Sequence, residues 1–340
     1  MTEFDLIEQI FNQKQTLTRQ SDIQKGIGDD AAVTILPIGA RLVSCIDTLV
    51  QGRHFSGDWD AVERLAFAIG YKAVAVNVSD IAAMGAAPHS LLLALALPER
   101  LAKKSWLNEF AQGIFHACNA FNIALIGGDT TRSEQLVISV SAQGILTKDA
   151  TPVYRSGANV GDKVYVSGTL GDASFALKNP HSDIGKSLRH RLDMPTPRAA
   201  LGQRLGKIVT GAMIDISDGL YQDLSHICQQ SGVDMRIDLE KLPTSSELAK
   251  ANLTERLFCQ LTGGDDYELA FTLPAHIAPP DSYTQVTCIG EVIAQQVEGN
   301  PSLYSPSQPQ LFYQNSRLSS LNPAPFDKLP PLSGYQHFNS

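Results

Sequence analysis

Apolar and polar positions alternate along this chain in two successive rounds, each mixing strand-like runs with helical spacing. In the first round, Phe4, Ile7, Ile10 and Phe11 fall on one side of a short predicted helix over residues 3–15. RLVSCID (41–47) predicts a strand ending in an acid, and the alanine-rich spacing from Asp60 to about Met84 is helical. LLLALAL (91–97) predicts a buried strand. Residues 103–122 predict an amphipathic helix, with Trp106, Phe110, Ile114 and Cys118 at helical intervals. IALI (123–126) and LVISVSAQGIL (136–146) predict strands around a Gly-Gly-Asp turn.

The turn-rich stretch TPVYRSGANVGD (151–162) marks a predicted boundary between a domain over 1–150 and another over 151–340. Beyond it, DKVYVSG, AMIDIS (212–217), MRIDL (235–239), ELAFTL (268–273) and QVTCIGEV (285–292) read as strands. A helix is predicted from Asp218 to about Gln230. The proline-rich tail, from Pro301 to Pro331, predicts a segment wrapping the surface. Mixed strands and helices in both halves predict two α/β domains.

Composition narrows the chemistry. At 340 residues and 43% hydrophobic, the chain can bury a sizeable core. Its net charge of −8, with no long run of one sign, argues against a binder of nucleic-acid backbone. A phosphorylated ligand stays compatible, because divalent cations invert the local sign. The cysteines (Cys45, Cys118, Cys228, Cys259, Cys288) are odd in number and form no C-x-x-C, so reduced thiols are expected. MTEFDLIEQI carries acids where a signal peptide needs bases, and the longest unbroken apolar run, Leu91 to Leu97, is too short to span a bilayer. The expectation is a cytoplasmic protein with no membrane contact.

Nine aspartates carry the candidate chemistry: Asp29 and Asp30 in GIGDD, Asp47, Asp80, Asp129, Asp215 and Asp218 in DISDG, and Asp265 and Asp266 in GGDDYEL. Each sits beside a glycine, a small hydroxyl residue or a strand end. Any one alone reads as a turn or helix cap, Asp80 and Asp218 being good cap candidates. Caps accept Ser or Thr equally well, so the repeated choice of Asp points instead to hard, oxygen-seeking cations. Mg²⁺ takes carboxylates, waters and substrate phosphate oxygens, and glycine lets phosphate approach backbone N–H groups. The pattern reads as a multi-magnesium site for a nucleoside triphosphate. GKS at 185–187 lacks the leading P-loop glycine, since Pro180 stands there. GIGDDA is not a dinucleotide fingerprint, and neither G-x-S-x-G nor a kinase signature set is present.

These motifs in this order resemble the thiamine-monophosphate kinase family, from about Phe4 to Phe338. The landmarks are GIGDDAAV, DTLVQGRHF, YKAVAVNVSDIAAMGAAP, LIGGDTTRS, YRSGANVGD, IDISDGLYQDL, GGDDYELAF and GYQHF. The wider superfamily includes aminoimidazole ribonucleotide synthetase and selenophosphate synthetase. The resemblance implies two mixed α/β domains, N-terminal sheets paired across a homodimer, and ATP in a cleft between domains and subunits. It implies magnesium ions on Asp30, Asp47, Asp80, Asp129 and Asp215, with Asp218 near a further one. It implies ATP contacts from Gly128, Asp129, Arg155 and Ser217, and a thiamine-phosphate pocket lined by His54, Asp265 and Tyr335. The family often reads Ser-Thr-Asp where this chain has Cys45, Ile46 and Asp47, leaving backbone carbonyls as the metal donors at the first two. It often has Glu where this chain has Asp265. The implied reaction is phosphorylation of thiamine monophosphate by ATP. A purine-pathway synthetase, a Mg²⁺-dependent phosphoesterase and a cation-binding module are the alternatives. Lys72 reads as either a solvated surface base or a phosphate contact, and Trp59 and Trp106 as packing residues.

Overall fold

The computed structural model describes residues 10–11, 22–208, 211–295 and 307–318. Two compact units divide the chain, one over residues 1–81 and 86–150, the other over 82–85 and 151–340.

In the first unit a short hairpin, β1 (Ile23–Lys25) and β2 (Val33–Thr34), frames the GIGDD loop. β3 (Arg41–Val50) is followed by helices α1 (Trp59–Arg64) and α2 (Ala66–Ala83). Then come β4 (Ala87–Leu97), α3 (Lys104–Phe121), β5 (Ala124–Arg132) and β6 (Val137–Leu146). The last four strands form one sheet in the order β3-β6-β4-β5. Period-two patterning sets its two faces. Leu91, Leu93, Leu95, Ile138 and Val140 are buried on one, while Leu42, Ile46 and Leu92 are exposed on the other. LLLALAL is therefore not a strand buried on both faces: Leu92 and Ala94 look outward. Helix α2 is apolar and long enough to cross a membrane by length and composition, yet 83% of it is buried as a core helix. Trp106 packs as expected, buried and stacked 5.1 Å from Phe110.

The predicted Gly-Gly-Asp turn is instead the middle of β5, paired in parallel with β4. A Cβ at Gly128 would lie 2.1 Å from the Leu93 carbonyl oxygen. Glycine here reports a close strand approach rather than a turn.

The second unit carries β7 (Lys163–Ser167), α4 (Asp172–Lys178), α5 (Asp183–Asp193), α6 (Ala199–Leu205), β8 (Met213–Ile216) and α7 (Leu220–Ser231). β9 (Asp234–Asp238), α8 (Leu253–Thr262), β10 (Glu268–Leu273), β11 (Val286–Ile293), β12 (Pro309–Tyr313) and β13 (Ser316–Arg317) follow. The sheet order is β13-β12-β9-β11-β7-β10-β8. Part of the proline-rich tail thus joins the sheet: β12 runs parallel to β9, with Pro309 as its first residue, where a missing N–H is tolerated. GKS lies inside α5. The fold is mixed α/β in both units.

All five cysteines are free, and burial pushes the Cys118 and Cys228 thiols up to about 12, as suits inert packing thiols. The predicted helix over 3–15 falls largely outside the described residues, as does Tyr335.

Candidate functional site

Each unit positions its own acids. In the first, Asp47 comes from β3 and Asp80 from the last turn of α2. Asp80 therefore does not cap a helix start. The two carboxyls share a hydrogen bond, and burial pushes Asp47 up while that bond pulls it down. Adjacent acids bonded in this way must share a proton or a cation. Cys45 lies on the same strand, its Sγ 3.5 Å from the Asn77 carbonyl oxygen of α2. Ile46 points to the open face, 66% exposed, so only its backbone can serve a site beside Asp47. Lys72 is 5% exposed, which overturns its reading as a solvated surface base.

In the GIGDD loop the two aspartates divide the work. Asp29 accepts the Asp30 backbone N–H at 3.0 Å and pairs with Lys25 at 3.2 Å, and these hold its carboxyl below the usual range. Asp30 is exposed. Asp22 at the loop's base meets His89 Nε2 at 3.2 Å and ties the hairpin to β4. His54 turns back on its own strand end, its Nδ1 accepting the Val50 N–H at 3.0 Å.

Gly128 sits in the cross-strand row of Leu93, Val140 and Asp47. Asp129 falls in the next row, with Ala94, Ser139 and Thr48, and is exposed.

In the second unit, Asp215 is the penultimate residue of the buried strand β8, and Ser217 and Asp218 occupy the turn before α7. Asp218 is not the cap either. The cap position is Gly219, which has no side chain to offer. The turn's amides are taken by Asp223, a residue the sequence reading passed over. Its Oδ2 accepts the N–H groups of Ser217, Asp218 and Gly219 at 3.1, 3.2 and 3.1 Å. Burial first, then the charges of Asp215 and Asp218, push the Asp223 carboxyl well above the usual range. The available signal was an acid near the start of the helix predicted from Asp218, which the structure places in the first turn of α7, where the dipole favours it. Gln222 Nε2 donates to Asp218 Oδ2 at 3.1 Å.

The GGDDY loop packs on that turn. Asp265 N–H donates to the Ser217 carbonyl at 2.9 Å, and Tyr267 N–H to the Ile216 carbonyl at 2.8 Å. A Cβ at Gly264 would meet the Ser217 oxygen at 2.2 Å, so this approach requires glycine. Asp265 and Tyr267 adopt left-handed backbone (φ 68° and 52°), and the Tyr267 hydroxyl donates to Asp265 Oδ1 at 3.1 Å. Asp266 behaves differently from its neighbour. It is 1% exposed and accepts the Gly171 N–H at 2.8 Å, beside Asp172, Glu268 and Arg191. It is therefore a core residue rather than a metal or phosphate ligand. Arg155 is exposed on the loop before β7, where Ser231 Oγ accepts the Gly157 and Ala158 N–H groups. Burial first, then Arg155, lowers His226 on α7.

Among the described residues, no three His, Cys, Asp or Glu side chains gather closely enough to cage a metal ion. The paired carboxyls of Asp47 and Asp80 still fit Mg²⁺, which uses one or two carboxylates plus waters and substrate phosphates instead of a closed cage.

Family models described as AIR synthase related protein match twice, the N-terminal domain over residues 28–146 and the C-terminal domain over 159–273. A thiamine-monophosphate kinase of Haemophilus influenzae is 41% identical, over 81% of this chain and 82% of its own length. The crystal structure of thiamine-monophosphate kinase from Stenotrophomonas maltophilia K279a is 37% identical, with a TM-score of 0.76, over 94% of this chain and 98% of that one. A solved complex described as AaThiL with AMPPCP and TMP is 31% identical, with a TM-score of 0.72, over 90% of each chain.

Proposed function

The chain belongs to the thiamine-monophosphate kinase family and is a phosphotransferase of that class, and from this premise we propose that it transfers the γ-phosphoryl group of ATP directly and in line to thiamine monophosphate. The products are thiamine diphosphate, the end of that cofactor's biosynthesis, and ADP. The complex of the 31% identical neighbour with AMPPCP and TMP supports the choice of co-substrate and acceptor. The single observation that carries the metal-assisted part is the hydrogen-bonded carboxyl pair of Asp47 and Asp80.

The acceptor is a phosphate oxygen, already anionic near neutral pH, so no general base is needed. The obstacle is repulsion: unit charges ~4 Å apart repel by about 4 kcal/mol at an effective dielectric of about 20. Bound Mg²⁺ would neutralise that repulsion and align acceptor and γ-phosphate. Asp30, Asp47, Asp80, Asp129, Asp215 and Asp218 hold the ions in this reading, with the backbone carbonyls of Cys45 and Ile46 as further donors. Gly128, Asp129, Arg155 and Ser217 contact ATP, and His54, Asp265 and Tyr335 the thiamine phosphate. Asp29, committed to Lys25 and the Asp30 N–H, shapes the loop instead of binding metal.

The enzyme acts in the cytoplasm as a homodimer in this proposal. The support for a dimer is the open face of the first unit's sheet, where Leu42, Ile46 and Leu92 are 51%, 66% and 39% exposed.

Product analysis by ³¹P NMR with protein, ATP, Mg²⁺ and thiamine monophosphate tests the reading. Diphosphate signals of thiamine diphosphate, absent without protein, are expected. ADP with free phosphate alone would make it a phosphoesterase, and no turnover would send the search to purine-pathway acceptors.

A further inference from the structure

The turn after β8 presents an unusual choice. Three successive backbone N–H groups, Ser217, Asp218 and Gly219, converge on one point. Such a concavity is a ready anion site, and in a nucleotide enzyme the expected occupant is a phosphate. Here the occupant is the chain's own Asp223, 2% exposed, four residues into the helix that follows. The amides are spent internally, so this turn cannot offer them to a phosphate. It offers the side chains of Ser217 and Asp218 instead.

The opposite side of the turn is also fixed. Its carbonyls at Ile216 and Ser217 accept the N–H groups of Tyr267 and Asp265. Ser217 is thus bonded through its N–H to Asp223 and through its C=O to the loop that carries Asp265.

We infer that Asp223 is a positioning residue: by filling the amide nest of residues 217–219 it fixes the turn so that Ser217 and Asp218 face the metal–nucleotide complex. This rests on the reading of Ser217 and Asp218 given above. Asp223 itself touches neither nucleotide nor metal. The requirement is for an acceptor oxygen in that nest, and an amide oxygen can supply it.

The test measures binding of AMPPCP by calorimetry across a Mg²⁺ titration, with thermal melts, for the full chain and for Asp223→Ala and Asp223→Asn. The Ala variant should shift the Mg²⁺ midpoint up by roughly tenfold to a hundredfold, the usual loss for a supporting residue. The Asn variant should stay within about threefold of the parent, since its oxygen still accepts the three N–H groups. A purely structural role would lower the melting temperature of the Ala variant and leave the midpoint in place, which would overturn the inference. An Asn variant as impaired as the Ala variant would also overturn it, because the charge would then be acting directly. If the Ala variant does not fold, the Asn midpoint decides alone; if neither folds, Asp223 serves the fold and the inference fails. Parent protein that binds Mg²⁺ and AMPPCP but makes no thiamine diphosphate would sink the proposed acceptor and leave the role of Asp223 standing.

Discussion

Glu268 on β10 and Asp215 on β8 are almost neighbours: Glu268 pairs with Ile216, and Leu269 pairs with Asp215. Alternation sends their side chains to opposite faces of the two strands. On the Glu268 face the fold provides its own counter-charges. Glu268 is fully buried, yet it accepts from Arg191 at 2.8 Å, from Arg198 Nε at 2.6 Å and from Ser167 Oγ at 2.6 Å. Asp172 and Asp266 complete a cluster of three carboxyls against those two guanidiniums. If Asp266 keeps its proton, as burial favours, two anions balance two cations. The grouping around Asp215 is built the other way, because the charges that act on Asp223 are those of Asp215 and Asp218. Asp47 likewise meets another acid, Asp80. Counting carboxylates therefore separates nothing. What separates the two regions is the contact each carboxyl makes: Glu268 meets two guanidiniums, while Asp47 meets Asp80 and Asp223 lies beside Asp215 and Asp218.

Four substitutions bear on that contrast. Glu268→Gln should do the most damage: it strands Arg191 and Arg198 in the core and should cost about 3–5 kcal/mol in denaturant unfolding. Asp80→Asn should be the reverse in kind. Turnover should fall by roughly a hundredfold while the melting temperature holds or rises, since one of two apposed acids is removed. A drop in stability as large as that of Glu268→Gln would erase the distinction between the regions.

Gly264→Ala comes next, because its Cβ would press on the Ser217 oxygen and cost about 1–3 kcal/mol, with impaired nucleotide binding by calorimetry. Asp266→Asn should be mildest. The folded Asp266 holds its proton well above the ordinary carboxylate range. Its stabilising contribution is then complete below the unfolded pKa of about 4, and is lost as pH rises through the folded value. The Asn variant should therefore match the parent in acid and equal or exceed it in melts at neutral pH. A variant less stable than the parent at neutral pH would show that Asp266 is ionised and needed as an anion.

The sequence made the strands legible wherever apolar alternation was strong. RLVSCID, AMIDIS and ELAFTL all lie in or across strands at the stated places. It misled where one residue type has two physical uses. Gly127-Gly128 looked like a turn because glycine permits turns, but here glycine permits a parallel strand to approach. Asp80 and Asp218 looked like caps because aspartate caps helices; the one is in a last turn and the other yields its amide to Asp223. Asp265 and Asp266 are adjacent in the chain and differ wholly in surroundings, which no local pattern encodes. The partners that make Asp266 a core residue, Gly171, Asp172 and Arg191, are about 75 to 95 positions away in the sequence.

In the proposed reaction the metal ions arrive with the nucleotide, since no three of the described acids make a cage alone. Counting bound Mn²⁺ by electron paramagnetic resonance, with and without AMPPCP, tests it most directly, Mn²⁺ sharing the oxygen preference of Mg²⁺. Weak binding to the protein alone and several tightly held ions in the presence of the nucleotide analogue are expected. Equal, tight occupancy without nucleotide, or no gain in its presence, would contradict that expectation.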